Sequence, residues 1–274
     1  MQFLKTDRLN FYVEQAGSGD NVLVINGTGA DLRKKPNIMD SPLTSHFHVT
    51  AYDQRGLGQT DKPETGYTMQ DYADDAAAVM DALEIESAMV LGISFGGMVA
   101  QELSLRHGAY VSKLALWCTA PGGAGGASYP LQELEKLSGD ARLIAGMKLN
   151  DSRIDDAWMA TNAGAADALE AARQRLDMSA FENEPRFSQG RAGQMAARAQ
   201  HDCWDRLEHI TCPVFLGGGK YDGIAKPEIM QAMQSKLPDA RLTLYEGGHF
   251  FMLQDGKAFP DLMAFFADNM PEEN

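Results

Sequence analysis

The apolar run Ala88-Met89-Val90-Leu91 stops at Gly92-Ile93-Ser94-Phe95-Gly96, and a helix-like segment, Gly97-Met98-Val99-Ala100-Gln101-Glu102-Leu103, begins at once. A strand that passes into a helix through a single turn constrains this chain more than any other stretch. Such a turn needs small residues on both sides of its centre, and Gly92 and Gly96 supply them. It lifts the Ser94 hydroxyl clear of the backbone. It also aims a helix N-terminus, which favours developing negative charge, at whatever the serine attacks. Taken alone, Gly-x-Ser-x-Gly also fits an ordinary strand-to-helix connection with a helix cap.

A serine hydroxyl is a weak nucleophile at neutral pH, so a catalytic role needs a base and an orienting carboxylate elsewhere in the chain. On a parallel α/β scaffold the expected order is serine, acid, histidine. The stretch Cys212 to Gly217 reads as a short buried strand that ends in a loop carrying Asp222. An amphipathic helix around Pro227 to Leu237 follows, then a strand, Ala240 to Tyr245, which runs into Gly248-His249-Phe250. Ser94, Asp222 and His249 therefore all follow strands, on the sheet edge where open α/β sheets place their sites. Asp202, Asp205 and Asp255 compete for the acid role, but of these only Asp222 ends a buried strand. His249 suits both proton removal and return, because imidazole titrates near neutrality. His201 is a further candidate for the pocket and is better read as packing. His46, His48, His107 and His209 read as exposed or structural.

The rest of the chain alternates in the same way. Leu9 to Glu14, the turn Gly17-Ser18-Gly19-Asp20 and Asn21 to Ile25 read as a strand–turn–strand hairpin. His48 to Tyr52 is another strand. Met69 to Leu83 is helical, with Tyr72, Ala76, Val79, Met80 and Leu83 on one face. Lys113 to Cys118 is the strand after the serine helix. This alternation implies a mostly parallel sheet flanked by helices. After the glycine-rich exit from Pro121 to Ala127 the pattern changes, and from Leu131 to about Leu207 no convincing strand appears. The expectation is a core of residues 1–121 and 208–274 with a helical cap, 122–207, inserted after the strand that follows the serine helix. Met147, Met159, Met178, Met195, Trp158, Phe181 and Phe187 are candidates to line or roof a pocket, although each singly is better read as packing within the cap. Arg153, Arg173, Arg175, Arg186, Arg191 and Arg198 read as a solvated face.

With 24 basic and 38 acidic residues the 274-residue chain carries a formal charge of −14, which argues against nucleic acid or an anionic membrane as partner. Three widely spaced cysteines, Cys118, Cys203 and Cys212, fit a reducing compartment better than a disulfide framework. The opening residues lack a signal-peptide core, and no uncharged run reaches membrane-span length. The expectation is a cytoplasmic protein. No Cys or His pair has metal-ligand spacing, and the glycine-rich loops lack a phosphate-binding pattern. No cofactor or metal is expected.

At this point the sequence resembles the α/β-hydrolase superfamily, over nearly its whole length. Asn26-Gly27-Thr28-Gly29 occupies the place of the family's His-Gly oxyanion loop, and Asp53-Gln54-Arg55-Gly56-Leu57-Gly58-Gln59-Thr60 is similar to its Asp-x-Arg-Gly-x-Gly-x-Ser segment. Ser94-Phe95-Gly96-Gly97, Gly219-Lys220-Tyr221-Asp222 and Gly248-His249-Phe250 match its nucleophile, acid and base loops. Asn26 and the stretch Gly29 to Arg33 look most like 3-oxoadipate enol-lactonases and their esterase neighbours. The resemblance implies a Ser94–His249–Asp222 triad and an oxyanion hole made by the backbone N–H groups of Phe95 and Thr28. It implies that the Asn26 side chain fixes the oxyanion loop where the family usually has histidine. Asp53 and Arg55 belong, by the same resemblance, to a structural, ion-paired turn. The implied activity is hydrolysis of a small-molecule carboxylic ester or lactone through an acyl-enzyme. Hydrolysis of a carbon–carbon bond in ring-cleavage products uses the same triad. A slow-turnover receptor that binds a ligand under its cap would share the pattern too. The serine at the turn argues against dehalogenase and epoxide hydrolase look-alikes, which carry aspartate there.

Overall fold

The computed structural model describes residues 2–177, 181 and 183–268. Met178 and the acidic end, 271–274, lie outside them. Eight strands form one sheet: β1 (Gln2–Lys5), β2 (Asn10–Ala16), β3 (Asn21–Ile25), β4 (His48–Tyr52), β5 (Ala88–Ile93), β6 (Val111–Trp117), β7 (Val214–Gly219) and β8 (Ala240–Tyr245). Their spatial order is β1-β2-β4-β3-β5-β6-β7-β8. β1 and β2 pair antiparallel, as do β2 and β4, and every pairing from β4 to β8 is parallel.

Both faces of the sheet are covered, which explains why its strands read as unbroken apolar runs. Leu23 and Ile25 of β3, Val90 of β5 and Leu114 and Leu116 of β6 pack on one face. There they meet α1 (Met69–Ala82), α2 (Phe95–Arg106) and, through Met230 and Met233, α7 (Pro227–Lys236). Val22, Val24, Met89, Leu91, Ala115 and Trp117 point the other way. They meet Phe251 of α8 (Phe251–Gln254) and Leu262, Phe265 and Phe266 of α9 (Ala258–Phe266). α1 starts at a capping box in which Thr68 and Asp71 satisfy each other's backbone N–H groups.

The expected hairpin does not form. β2 and β3 are neighbours in sequence, yet β4 lies between them, paired to β2 on one side and β3 on the other. The turn carries the chain across the start of β4. Gly17, at φ 85°, crosses so closely that a Cβ there would stand 2.1 Å from the Phe47 carbonyl oxygen. Turn residues reveal that the chain reverses, not which strand it pairs with afterwards.

Between β6 and β7 the chain leaves the sheet and returns to nearly the same place. Gly122 bridges to Asp202, and the Cys203 N–H donates to the Pro121 carbonyl at 2.9 Å. The excursion holds α3 (Gly139–Asn150), α4 (Asp156–Thr161), α5 (Ala165–Asp177) and α6 (Phe187–Ala199), with no strand among its described residues. All three cysteines are free. Among the described residues no helix is long and apolar enough to cross a membrane.

Candidate active site

Ser94 sits between β5 and α2 with φ 55° and ψ −114°, a conformation that costs a non-glycine residue roughly 1–3 kcal/mol. Its surroundings hold it there. The Ser94 N–H donates to the Trp117 carbonyl at 2.8 Å, and the Thr119 hydroxyl donates to the Ser94 carbonyl at 2.7 Å. The flanking glycines are required by close approach. A Cβ on Gly92 would stand 2.6 Å from the Gly96 carbonyl oxygen, and one on Gly96 would stand 1.9 Å from that of Ile25. The second approach locks the start of α2 against the end of β3, where the 26–29 loop begins.

His249 and Asp222 reach Ser94 from the ends of neighbouring parallel strands, β8 and β7. Asp222 Oδ2 lies 2.8 Å from His249 Nδ1, and His249 Nε2 lies 3.1 Å from Ser94 Oγ. A carboxylate at Nδ1 fixes the proton there and leaves the Nε2 lone pair facing the hydroxyl. The other carboxylate oxygen, Oδ1, accepts the N–H groups of Ile224 and Ala225 at 2.7 and 3.0 Å, so the acid is held from both sides. All three side chains are buried. The competing acids are engaged elsewhere or at a distance. Asp255 accepts the Glu246 and Lys257 N–H groups, and Asp202 lies at the base of the β6–β7 excursion.

The N–H groups of Thr28 and Phe95, the expected oxyanion donors, have no acceptor among the described residues. Gly27 packs against Ser94, where an added Cβ would stand 3.5 Å from the serine Cβ. The loop is not fixed as expected, because the Asn26 side chain makes no hydrogen bond among the described residues. Instead Gln54 Nε2 donates to the Asn26 carbonyl at 2.8 Å, and Gln194 Oε1 accepts the Gly29 N–H at 2.9 Å. Gln194 comes from α6, more than 160 residues away, and no sequence signal marks it.

The 53–60 segment braces the loop from below. Arg55 grips Asp75 with Nε and Nη2 at 2.5 and 2.6 Å, both side chains buried. Asp53 makes no such pair. Its carboxylate accepts the Leu32 and Gln59 N–H groups at 2.8 and 2.9 Å, and burial pushes its pKa up to about 6.

The end of α3 ties the Asp222 and His249 loops together. The Gly223 N–H donates to the Leu149 carbonyl at 3.0 Å, and the His249 N–H to the Asn150 carbonyl at 2.6 Å. Gly248 must be a glycine here, since a Cβ would stand 1.9 Å from the Asn150 oxygen.

Ser94, His249, Asn26, Gly27 and Thr28 line a cavity of about 630 Å³. Its walls are largely apolar, from Ile38, Ile93, Ile224, Met252 and Phe259, with Leu131 and Leu134 from the excursion and the exposed Phe250 and Leu253. Asp40 is the carboxylate among the lining residues, and no lysine or arginine is among them. Of the sequence candidates for its roof, Met147, Met159, Met195, Trp158, Phe181 and Phe187 do not line it; Met195 and Phe187 line a separate surface cavity instead. Helical spacing identified apolar residues of the excursion but not the side they face. His201 is also away from this cavity, buried beside Cys203, and burial pulls its pKa down to about 4.

A family model for the alpha/beta hydrolase fold matches residues 20–256. The 2-hydroxymuconate semialdehyde hydrolase of Pseudomonas sp. (strain CF600) is 33% identical over 124 residues, covering 44% of this chain and 42% of that protein. The matched stretch spans under half the length of the first curated relatives. Among solved structures, a meta-cleavage product hydrolase from Pseudomonas fluorescens IP01 superposes with a TM-score of 0.79 at 20% identity, covering 98% of this chain and 97% of that one. The enol-lactonase from Burkholderia xenovorans LB400 gives 0.75 at 20% identity, covering 97% and 100%. At such identities the two superpositions speak for the fold.

Proposed function

We propose that this chain, which belongs to the alpha/beta hydrolase fold family, is a cofactor-free serine hydrolase of carboxylic esters or lactones. The observation that carries the reading is the unbroken line of hydrogen bonds from Asp222 through His249 to Ser94, at 2.8 and 3.1 Å, opening on an apolar cavity. His249 Nε2 takes the proton as Ser94 Oγ attacks the carbonyl carbon. Asp222 steadies the imidazolium that forms. The carbonyl oxygen, now an alkoxide, settles on the N–H groups of Phe95 and Thr28, which have no acceptor among the described residues and so suit it. As the tetrahedral intermediate collapses, the bond to the leaving oxygen breaks and His249 protonates that oxygen. Water, deprotonated by the same imidazole, then releases the acid and restores Ser94.

The helices of residues 122–207 serve in this reading as a cap on a core of 1–121 and 208–274. Its support is that the excursion begins and ends at one place and that Leu131, Leu134 and Asn150 line the cavity. The apolar walls, with no basic side chain, favour a neutral acyl group. A second reading, hydrolysis of a carbon–carbon bond on the same triad, is favoured by the likeness to a meta-cleavage product hydrolase. The missing cation counts against it where the substrate is an anionic ring-cleavage acid.

The test is intact-protein mass after treatment with a fluorophosphonate, beside a p-nitrophenyl ester panel of graded chain length. A single adduct on Ser94 with ester turnover is the expected result. In Ser94→Ala the adduct should vanish and turnover fall by at least about 10³-fold with the fold intact. Unchanged ester hydrolysis by that variant would sink the assignment. An adduct without ester turnover would favour the carbon–carbon reading.

A further inference from the structure

From sequence, Arg153 reads as one arginine of a solvated face. Its guanidinium has definite partners. Nε donates to Asp151 Oδ1 at 2.9 Å and Nη2 to Asp151 Oδ2 at 2.6 Å. The same group lies over the Tyr221 ring, 4.4 Å from its centroid. The Arg153 side chain is half-buried, whereas Asp151 is only 5% exposed. A planar fork that meets both oxygens of a buried carboxylate fixes direction as well as distance, which a loose surface ion pair does not.

Asp151 stands where the chain leaving α3 touches two loops. The Ser152 N–H donates to the Tyr221 carbonyl at 2.9 Å, and the Leu149 carbonyl accepts the Gly223 N–H, which ties this stretch to the loop of Asp222. The Asn150 carbonyl accepts the His249 N–H. The Asp151 carboxylate adds a further link. Its Oδ2 accepts from Gln254 Nε2 at 3.2 Å, and Gln254 Oε1 accepts the Gly248 N–H at 2.7 Å. The Tyr221 N–H donates to the Gly247 carbonyl at 2.9 Å. The backbone groups that lead into the imidazole are therefore each held by a different residue: the Gly247 carbonyl by Tyr221, the Gly248 N–H by Gln254 and the His249 N–H by Asn150. Arg153 supports two of these holders, Tyr221 through its ring and Gln254 through Asp151.

We propose that Arg153 and Asp151 are positioning residues for His249, acting through Tyr221 and Gln254 on the backbone that carries the imidazole. Neither touches a reacting atom. What they set is where Nε2 stands relative to Ser94 Oγ, 3.1 Å away. A misplacement of about 1 Å at such a contact costs about 10²-fold in rate. Asn150 also lines the Ser94 cavity, so the stretch that Arg153 secures lies between the substrate space and the imidazole. The consequence for rate rests on the hydrolase reading above; the placement of the ring does not.

The test compares Arg153→Met, Gln254→Met and the double variant with the wild type. Arg173→Met is the control, because Arg173 pairs with Asp140 and Glu170 and with neither loop. Ester turnover is counted per site labelled by a fluorophosphonate, which takes any unfolded fraction out of the count. Each single variant should lower kcat about tenfold with KM within twofold. The double variant should fall no further than the lower single, as members of one chain of contacts do. A merely structural role would lower Tm and leave kcat per labelled site intact, and that result overturns the proposal. So do single losses that multiply in the double variant, or an equal loss in Arg173→Met. A second readout needs no turnover. NMR of protein made with isotope-labelled histidine follows exchange of the His249 Nδ1 proton with water, expected at least about fivefold faster in each single variant and unchanged in the control. Exchange equal to wild type in the variants overturns the proposal. If the wild type turns over no ester, the hydrolase reading fails and the exchange rates alone decide the positioning role. If Arg153→Met does not fold, Arg153→Lys replaces it, since lysine keeps the charge but not the fork. At least a threefold loss of kcat, about 0.65 kcal/mol, is then expected, and an unchanged kcat overturns the proposal.

Discussion

At the scale of single residues, the site rests on groups that cannot be exchanged for near neighbours. Asp222 accepts a ring N–H on one oxygen and two backbone N–H groups on the other. Asparagine can keep the backbone contacts with its oxygen but presents an NH₂ to His249 Nδ1, which forces the wrong tautomer. Asp222→Asn is expected to keep the fold and cut ester turnover by about 10⁴-fold, the loss the same change causes in serine-protease triads. Steady-state kinetics beside a circular dichroism melt checks both halves. Gly96→Ala tests the turn itself. Its Cβ would fall 1.9 Å from the Ile25 carbonyl oxygen, so the loss of stability should exceed about 3 kcal/mol. A urea midpoint equal to that of the wild type would mean that α2 and β3 are not packed as described.

At the scale of elements, the 26–29 loop and the loops that carry Asp222 and His249 are held by a segment remote from them in sequence. Gln194 of α6 accepts the Gly29 N–H, and the end of α3 accepts from Gly223 and His249. Gln194→Leu removes the acceptor while conserving most of the volume. It is expected to lower kcat by about 10- to 100-fold with KM little changed, the effect of a loop whose donors drift from the developing charge. A kcat within twofold of wild type would show that Gln54 alone holds the loop. α1, α2 and α7 were legible in sequence, α1 especially, where Tyr72, Ala76, Val79 and Met80 are buried as the helical spacing implied. Their contacts were not. A glutamine on a helix carries no mark of what it will meet, and the described methionines and aromatics weighed as possible pocket lining, each read singly as packing, do not line the cavity. Arg198 shows the same limit in reverse, since nothing local in the sequence separates it, buried, from the ion-paired Arg153, Arg173, Arg186 and Arg191 of the same excursion.

At the scale of the whole molecule, charge governs the response to pH. Asp31, Asp71, Asp74 and Asp151 lie below the ordinary carboxylate range. Burial would raise each of them, but hydrogen bonds from Arg33, Thr68, His107 and Arg106, and Arg153 outweigh it. Their stabilisation is present above about pH 4 and is lost as pH falls through the depressed folded values. Asp53, raised to about 6, acts oppositely. Its contribution is full below about pH 4 and is lost as pH rises through 6. Above that, a formal charge of −14 adds self-repulsion. His201, pulled down to about 4 by burial, offsets Asp53, since its stabilisation is full above about pH 6.5 and is lost as pH falls through 4. Tm should therefore drop steeply only below about pH 4, and above about pH 6.5 added salt should raise it by screening the self-repulsion. A Tm that stays level from about pH 6 down to about pH 3 would contradict this balance. The sequence by itself determined the parallel α/β architecture, the turn at Ser94, and the placement of Asp222 and His249 just past the strands that carry them to it. Each of these is written in local signals: apolar runs that end in glycines, and a chemically apt residue just past a strand. Only the tertiary structure decided that β4 separates β2 from β3, that glutamines rather than Asn26 hold the oxyanion loop, and that the excursion turns Leu131, Leu134 and Asn150 toward the cavity. These depend on which surfaces meet, and contacts between residues far apart in the chain leave no periodicity, cap or turn to be read.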